Sequence, residues 1–85
     1  MKILTKTKEY DVAILGISSL DNSLHIEITG AELNDVFSAF SNPQETRKIE
    51  RLWDGGEKDE FVGYTKFKFI NQLNDGHIVV ALDRG

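Results

Sequence analysis

The residues that could carry chemistry are few and widely spaced in this chain. His25 and His77 are its only histidines, and neither lies in a metal-ligand pattern such as H-E-x-x-H. Cysteine is absent, which excludes disulfides and thiolate metal sites. Ser18 and Ser19 lie in a strand-like segment, outside the strand–turn–helix pattern that exposes a nucleophilic serine. We therefore predict no catalytic residue, no metal ligand and no cofactor, and we expect that the chain is not an enzyme.

The acidic loop Asp54–Glu60, which follows Trp53, is the first of two candidate contact features. Tryptophan is enriched at the energetic centres of protein interfaces, so Trp53 with its acidic neighbours could anchor a partner protein. The alternative is that Trp53 belongs to the core and that the acids keep an exposed loop soluble. The Gly55-Gly56 pair lacks the following Lys and Ser or Thr of a phosphate-binding loop and predicts a turn of the chain.

Tyr64, Lys66 and Lys68 form the second feature, on the outward side of a predicted C-terminal hairpin. Cations interleaved with aromatic rings on a sheet resemble a platform for single-stranded nucleic acid. The alternative is that the lysines protect an exposed face or edge of the sheet. Taken together, the candidate partner-contact residues are Trp53, Asp54, Glu57, Asp59, Glu60, Tyr64, Lys66 and Lys68.

The C-terminal hairpin is the element that the sequence specifies most strongly. Asp75-Gly76 is a favoured pair for a two-residue turn, because Gly accepts a positive φ. A turn closed there places Phe69 opposite Leu82, and directly opposite residues share one side of a sheet. The apolar side is then predicted to carry Phe67, Phe69, Leu73, Ile78, Val80 and Leu82, and the other side Lys66, Lys68, Gln72 and Asp83.

A second hairpin is predicted upstream, with strands at Tyr10–Ser19 and Leu24–Thr29 and a turn at residues 21–22. The alternation of apolar and polar residues along the two strands places Ile17 opposite Ile26. One side then carries Leu15, Ile17, Leu24, Ile26 and Ile28, and the other side carries Val12 and Ile14 together with Ser18, His25 and Glu27.

Residues 30–41 change to a helical period. Thr29 and Glu32 fit a capping box at the start of this helix, and Pro43 ends it, because proline cannot continue the hydrogen-bond ladder. Apolar residues recur at i, i+3, i+4 and i+7, which is one face of a helix: Leu33, Val36, Phe37 and Phe40.

The segment that follows the helix allows two interpretations. Asn42 as a cap and Pro43 in the first turn suit a second helix. Alternatively, a single turn over Pro43 to Thr46 precedes a strand from Arg47 to Trp53. We favour the strand, since the strand predicted from Phe61 to Ile70 needs a partner on its other edge.

The 85 residues are expected to form a single domain, 1–85. The order strand–strand–strand–helix–strand–strand–strand predicts an α+β fold that is mainly antiparallel β. We expect a small barrel-like or curled sheet of about five to six strands with one amphipathic helix. This order overlaps with that of the five-stranded OB barrel, an analogy that implies no function.

The net charge and the hydropathy of the chain limit the classes of partner that we expect. The net charge is −4, which makes nucleic acid an unlikely partner. No segment approaches the roughly 20 apolar residues of a membrane span, and the N-terminus has no signal-peptide pattern. We therefore expect no membrane contact, and a protein that is intracellular or part of a particle assembled inside a cell.

Three stretches carry a family resemblance: the helix of ITGAELNDVFSAFSNPQET, the strand-like KIERLWDGG, and FVGYTKFKFI leading into the closing hairpin. In this order they are similar to small proteins encoded among the tail genes of long-tailed phages and prophages of Gram-positive bacteria. The resemblance implies a virion or assembly role through contacts with other tail proteins or with further copies of the chain. The location that it implies is the host cytoplasm during assembly, or the virion.

Three hypotheses about function follow. The leading one is a non-enzymatic, tail-associated structural or assembly protein. The second is a phage-encoded inhibitor of a host defence protein, whose acidic residues would engage a basic surface meant for nucleic acid or nucleotide. The third is an OB-like binder of single-stranded nucleic acid that uses Tyr64, Lys66 and Lys68.

Overall fold

The computed structural model describes all 85 residues and contains seven strands and two short helices. The strands are β1 (Lys2–Leu4), β2 (Glu9–Ile17), β3 (Leu24–Thr29), β4 (Ile49–Leu52), β5 (Lys58–Phe61), β6 (Lys66–Gln72) and β7 (Ile78–Asp83), and the helices are α1 (Leu33–Phe40) and α2 (Pro43–Thr46). The predicted α+β class, with a mainly antiparallel sheet and an amphipathic helix, is confirmed. The sheet has more strands than expected, and α2 adds a single helical turn.

One sheet contains all seven strands, in the order β5-β4-β1-β2-β3-β7-β6, and every neighbouring pair is antiparallel. Residues 62–65 alone connect β5 to β6, which are the two edges of the sheet. Five Cα–Cα steps reach at most about 19 Å, whereas the edges of a flat seven-stranded sheet are about 29 Å apart. The sheet must therefore curl, but its edges do not pair with each other, so it is not a closed barrel.

The core lies between one face of this curled sheet and α1. Val36, Ala39 and Phe40 are the buried residues of the helix, while Leu33 and Phe37 stay 37% and 46% exposed at the rim. The sheet side of the core is formed by Ile3, Tyr10, Val12, Leu24, Ile26, Ile28, Ile49, Ile78, Val80 and Leu82, with Tyr64 beside it. We call the opposite side of the sheet the open face.

The start of α1 differs from the prediction. Glu32 is the N-cap residue, and its side chain makes no capping hydrogen bond. Thr29 cannot serve as the cap because it is still paired with Asp11 in the sheet. The predicted capping box of Thr29 and Glu32 is therefore wrong.

The N-terminal hairpin is shifted by two residues from the predicted register, with Ile17 opposite Leu24. An even shift keeps each side chain on its own face, so the apolar side is the predicted one. A β-bulge at Ala13 then exchanges the two faces for the residues of β2 that precede it, because the extra residue breaks the alternation of side chains. Val12 is consequently buried in the core, where the prediction placed it outward with Ile14.

The C-terminal hairpin closes through a three-residue loop, Asn74–Gly76. The Leu73 N–H donates to the His77 carbonyl over 2.8 Å, and Gly76 has a φ of +89°, which glycine adopts without steric cost. The predicted two-residue turn at Asp75-Gly76 is therefore wrong, although Gly76 does supply the positive φ.

This longer loop moves the two strands by one residue, so Phe69 pairs with Ala81 and not with Leu82. A β-bulge at Lys68 then places Phe67 opposite Leu82, which returns Phe67 to the core side. Phe67 therefore packs on the core side, while Phe69 lies on the open face and is 39% exposed. The prediction that placed both phenylalanines on one side is wrong.

The segment after α1 follows the favoured interpretation. Asn42 accepts a hydrogen bond from the Gln44 N–H and caps the single turn of α2, after which the chain enters β4. The partners of β4 differ from the expectation: they are β1 and the short strand β5, which we did not predict. The expected strand from Phe61 to Ile70 is divided between β5 and β6, and β6 pairs with β7 alone.

Candidate partner-contact site

The first candidate feature lies on a hairpin that we call the Trp53 hairpin: β4, β5 and the turn Trp53–Glu57 between them. The turn is closed by the Trp53 N–H, which donates to the Glu57 carbonyl over 2.8 Å. Gly56 in this turn has a φ of +92°. The hairpin therefore holds its aromatic residue at a fixed point where the strands end.

The indole of Trp53 is held on two sides. The guanidinium carbon of Arg51 lies 4.2 Å from the indole centroid, and the indole Nε1–H donates to Asp59 Oδ2 over 2.9 Å. The same carboxylate oxygen accepts from Arg51 Nε at 3.0 Å. These contacts follow from the register, in which Arg51 is directly opposite Asp59.

The two hydrogen bonds that the Asp59 carboxylate accepts also explain why its pKa is low. The hydrogen bond from Arg51, and then that from Trp53, hold the pKa of Asp59 below its usual value. Asp59 is therefore anionic over the physiological range, and the contacts that fix Trp53 persist there. Trp53 remains 40% exposed, so it is neither a core residue nor a free surface residue.

The other acids of the predicted set lie on the same hairpin. Asp54 accepts a hydrogen bond from the N-terminal ammonium of Met1 at 2.6 Å, which lowers the pKa of Asp54. Glu57 and Glu60 are exposed. Five of the eight predicted contact residues thus lie together on the Trp53 hairpin.

The remaining three, Tyr64, Lys66 and Lys68, lie elsewhere in the fold. They line a separate cleft with Asp83 and Arg84 at the end of the β6–β7 hairpin. Tyr64 is 7% exposed and belongs to the core cluster, so its ring does not form the outward platform that we expected.

The two histidines lie on the open face and are both hydrogen-bonded. His77 Nδ1 is 2.8 Å from Glu27 Oε2. His25 Nε2 is 2.8 Å from Ser23 Oγ, whose hydroxyl donates to Asp21 Oδ1 at 2.7 Å. This row of Asp, Ser and His is unlike a nucleophilic triad, because Ser23 is fully buried and lies between the other two.

A patch on the open face was found only in part by the sequence reasoning, which placed Ile14 outward with His25 and Glu27 but placed Phe69 on the apolar side. Ile14 is 61% exposed, and it borders a depression of about 190 Å³ beside His25, Glu27 and Val79. The ring of Phe69 meets that of His25 edge-on at 5.7 Å. Phe69 lies on this face because the hairpin closes through the three residues Asn74–Gly76, a loop that the sequence does not distinguish from a two-residue turn at Asp75-Gly76.

Comparison with known proteins gives no relative: no family model, no curated protein and no solved structure matches the chain. Neither helix has the length and apolar character needed to cross a bilayer. No three of the His, Asp and Glu side chains come together in an arrangement suited to a metal ion.

Proposed function

We propose that the chain is a non-enzymatic, tail-associated structural or assembly protein of a phage or prophage, which acts through protein–protein contacts. The observation that supports a contact role is the half-exposed indole of Trp53, held by Arg51 and Asp59. The tail setting is supported by the sequence resemblance alone.

An indole fixed in this way suits the anchor of an interface. Ordering a mobile side chain on binding costs about 0.5–1.5 kcal/mol, and a side chain already held by a cation–π contact and a hydrogen bond avoids much of this cost. An aromatic ring also buries a large apolar area for few rotatable bonds. Trp53 is therefore the residue on this hairpin whose loss should weaken binding most.

Charge and backbone define the partner further. Glu57 and Glu60 are exposed on the same hairpin as the indole, which favours a partner with a basic surface. Because β5 is an edge of the sheet, its outer backbone groups can accept a strand from a partner or from a second copy of the chain. A tail protein with a basic strand or loop fits both features.

The test is co-expression of the chain with the products of its neighbouring tail genes, followed by an affinity measurement on each complex recovered. We expect Trp53→Ala to weaken binding at least about thirtyfold, the loss typical of an interface hot spot. The matched control is Leu20→Ala, because Leu20 is 96% exposed and lies far along the chain, in the β2–β3 loop. Equal effects of the two variants, or no tail partner together with a strict monomer by light scattering, would overturn the proposal.

The acidic character of the same hairpin also favours the second candidate, an inhibitor of a host defence protein. Such a protein would present a basic surface evolved for nucleic acid or nucleotide. The charge-reversed variant Glu57→Lys/Glu60→Lys separates the two: capture of a defence enzyme by the native chain, lost in this variant, supports the inhibitor. Capture of tail proteins under the same conditions supports the leading proposal.

A further inference from the structure

The end of the β6–β7 hairpin and the β2–β3 loop enclose an open cleft of about 670 Å³, which we call the basic cleft. Three cations line it, Lys66, Lys68 and Arg84, against the carboxylates of Asp21 and Asp83. In a chain whose net charge is −4, this is a local excess of positive charge. We propose that the basic cleft binds a phosphate group, with residues that are separate from the Trp53 hairpin.

The two carboxylates are already engaged within the chain. Lys68 forms an ion pair with Asp21 and lies 3.9 Å from Asp83. The second oxygen of Asp21 accepts from the Ser23 N–H at 3.0 Å and from its hydroxyl at 2.7 Å. Lys68 thus offsets one of the two negative charges, and with Lys66 and Arg84 the three cations outnumber the two carboxylates of the cleft.

The other two cations have no carboxylate partner. Lys66 and Arg84 are exposed, and neither takes part in an ion pair of the fold. The Arg84 guanidinium lies 5.4 Å from the centroid of the Tyr64 ring. Stacking on a ring engages the flat face of a guanidinium and leaves its N–H donors free along the edge, where they suit the paired oxygens of an oxyanion.

Tyr64 contributes a third donor. The chain offers no hydrogen bond to its hydroxyl, and no buried side-chain polar atom of the fold lacks a partner. The hydroxyl is therefore not completely buried, and Tyr64 lines the cleft. A hydroxyl, an ammonium and a guanidinium edge at one cleft together favour a tetrahedral, doubly charged anion over a carboxylate.

The apolar side of the cleft indicates what the phosphate is attached to. Ile17 is 45% exposed and lies on the wall of the cleft. A surface of this kind suits the organic part of a phosphate ester. The same phosphate chemistry can come from a small phosphate ester or from a single nucleic-acid strand, and the experiment must distinguish these sources.

The test is a titration at low salt of the ¹⁵N-labelled chain with inorganic phosphate, with AMP and with a short oligo-dT, each followed by amide shifts. We expect phosphate and AMP to shift amides around the cleft, with AMP binding more tightly. Lys66→Ala/Arg84→Ala should weaken binding at least about tenfold, since charged hydrogen bonds are the strong ones.

The control is Arg47→Ala/Lys48→Ala, which removes the same charge from two exposed residues outside the cleft. It should leave the affinity within about twofold, and thermal melts should show that both double variants remain folded. Tighter binding of oligo-dT than of AMP, still dependent on Lys66 and Arg84, would identify nucleic acid as the source of the phosphate. No binding of any probe at low salt, or equal losses in the two double variants, would overturn the proposal.

Discussion

Val12 and Ile14 are two residues apart in β2, yet Val12 is 8% exposed in the core and Ile14 is 61% exposed on the open face. The β-bulge at Ala13 separates them, because an extra residue in one strand reverses the alternation of side chains. In β6 a second bulge separates Phe67 from Phe69 in the same way. The two bulges thus return Val12 and Phe67 to the core side, while Ile14 and Phe69 stay on the open face.

A pair of substitutions tests this arrangement. Val12→Ala should lower the free energy of unfolding by about 2 kcal/mol, the loss expected when buried methyl groups are removed. Ile14→Ala should change it by no more than about 0.5 kcal/mol, as for most surface substitutions. Urea denaturation with unchanged m-values measures both. Equal losses would mean that the two side chains share one environment and that β2 has no bulge.

The bulges also mark where sequence reasoning about the fold fails. Periodicity predicted the two hairpins, the helix and the single turn after it, because each depends on apolar spacing or on Pro and Gly. Ala13 and Lys68 have no local feature that identifies them as the extra residues. Their positions follow from cross-strand packing, which fixes the register only when the whole sheet is assembled.

Strand β5 was not predicted from the sequence, for a related reason. Its sequence KDEF has no alternation of apolar and polar residues, so nothing in it is typical of a strand. It is held by its pairing with β4, in particular by Arg51 opposite Asp59. Trp53 stood out by its residue type alone, but the two side chains that hold it become visible only with this register.

Tyr10 provides the second prediction. Its hydroxyl donates to Asp35 Oδ2 over 2.8 Å and so connects β2 to α1. Burial first, and then this hydrogen bond, raise the pKa of Tyr10, which keeps it a neutral donor at all ordinary pH values. Tyr10→Phe keeps the ring against Phe40 and should lower the free energy of unfolding by about 1 kcal/mol.

The control for Tyr10→Phe is Tyr64→Phe, which removes a hydroxyl that has no hydrogen bond within the chain. It should leave the free energy of unfolding within about 0.5 kcal/mol of the native value. Chemical denaturation compares the two. Equal losses would show that the bond from Tyr10 to Asp35 adds nothing to stability.

The loop of the C-terminal hairpin gives the third prediction. Gly76 has a φ of +89°, and a Cβ added there would meet no other atom within 4 Å. The cost of a side chain at this position is therefore conformational and does not come from steric crowding. Gly76→Ala should destabilise the fold by about 1–2 kcal/mol. Gly16 is the matched control, since it lies in β2 without a positive φ and has equal room for a Cβ. Gly16→Ala should be neutral or slightly stabilising, and a thermal melt of each variant decides.

The last prediction concerns pH and the contact between His77 and Glu27, which joins the C-terminal loop to β3. The hydrogen bond that His77 donates to Glu27, and to a lesser degree the charge of Asp75, raise the pKa of His77 above its ordinary value of 6.5. A histidine whose pKa is higher in the folded state stabilises that state fully below the unfolded pKa. This contribution is lost as the pH rises through the folded pKa, because the imidazole is then neutral in both states.

Glu27→Gln removes the anionic partner while keeping the side chain's size. We expect it to lower the pKa of His77 in an NMR titration, and Asp75→Asn to lower it less, since His77 Nδ1 lies 3.4 Å from Asp75 Oδ2 and 2.8 Å from Glu27 Oε2. The native chain should exceed Glu27→Gln in urea midpoint by more at about pH 6 than at about pH 8.5, which bracket the titration of a histidine. A difference that is the same at both pH values would show that the protonated form of His77 gains nothing from Glu27.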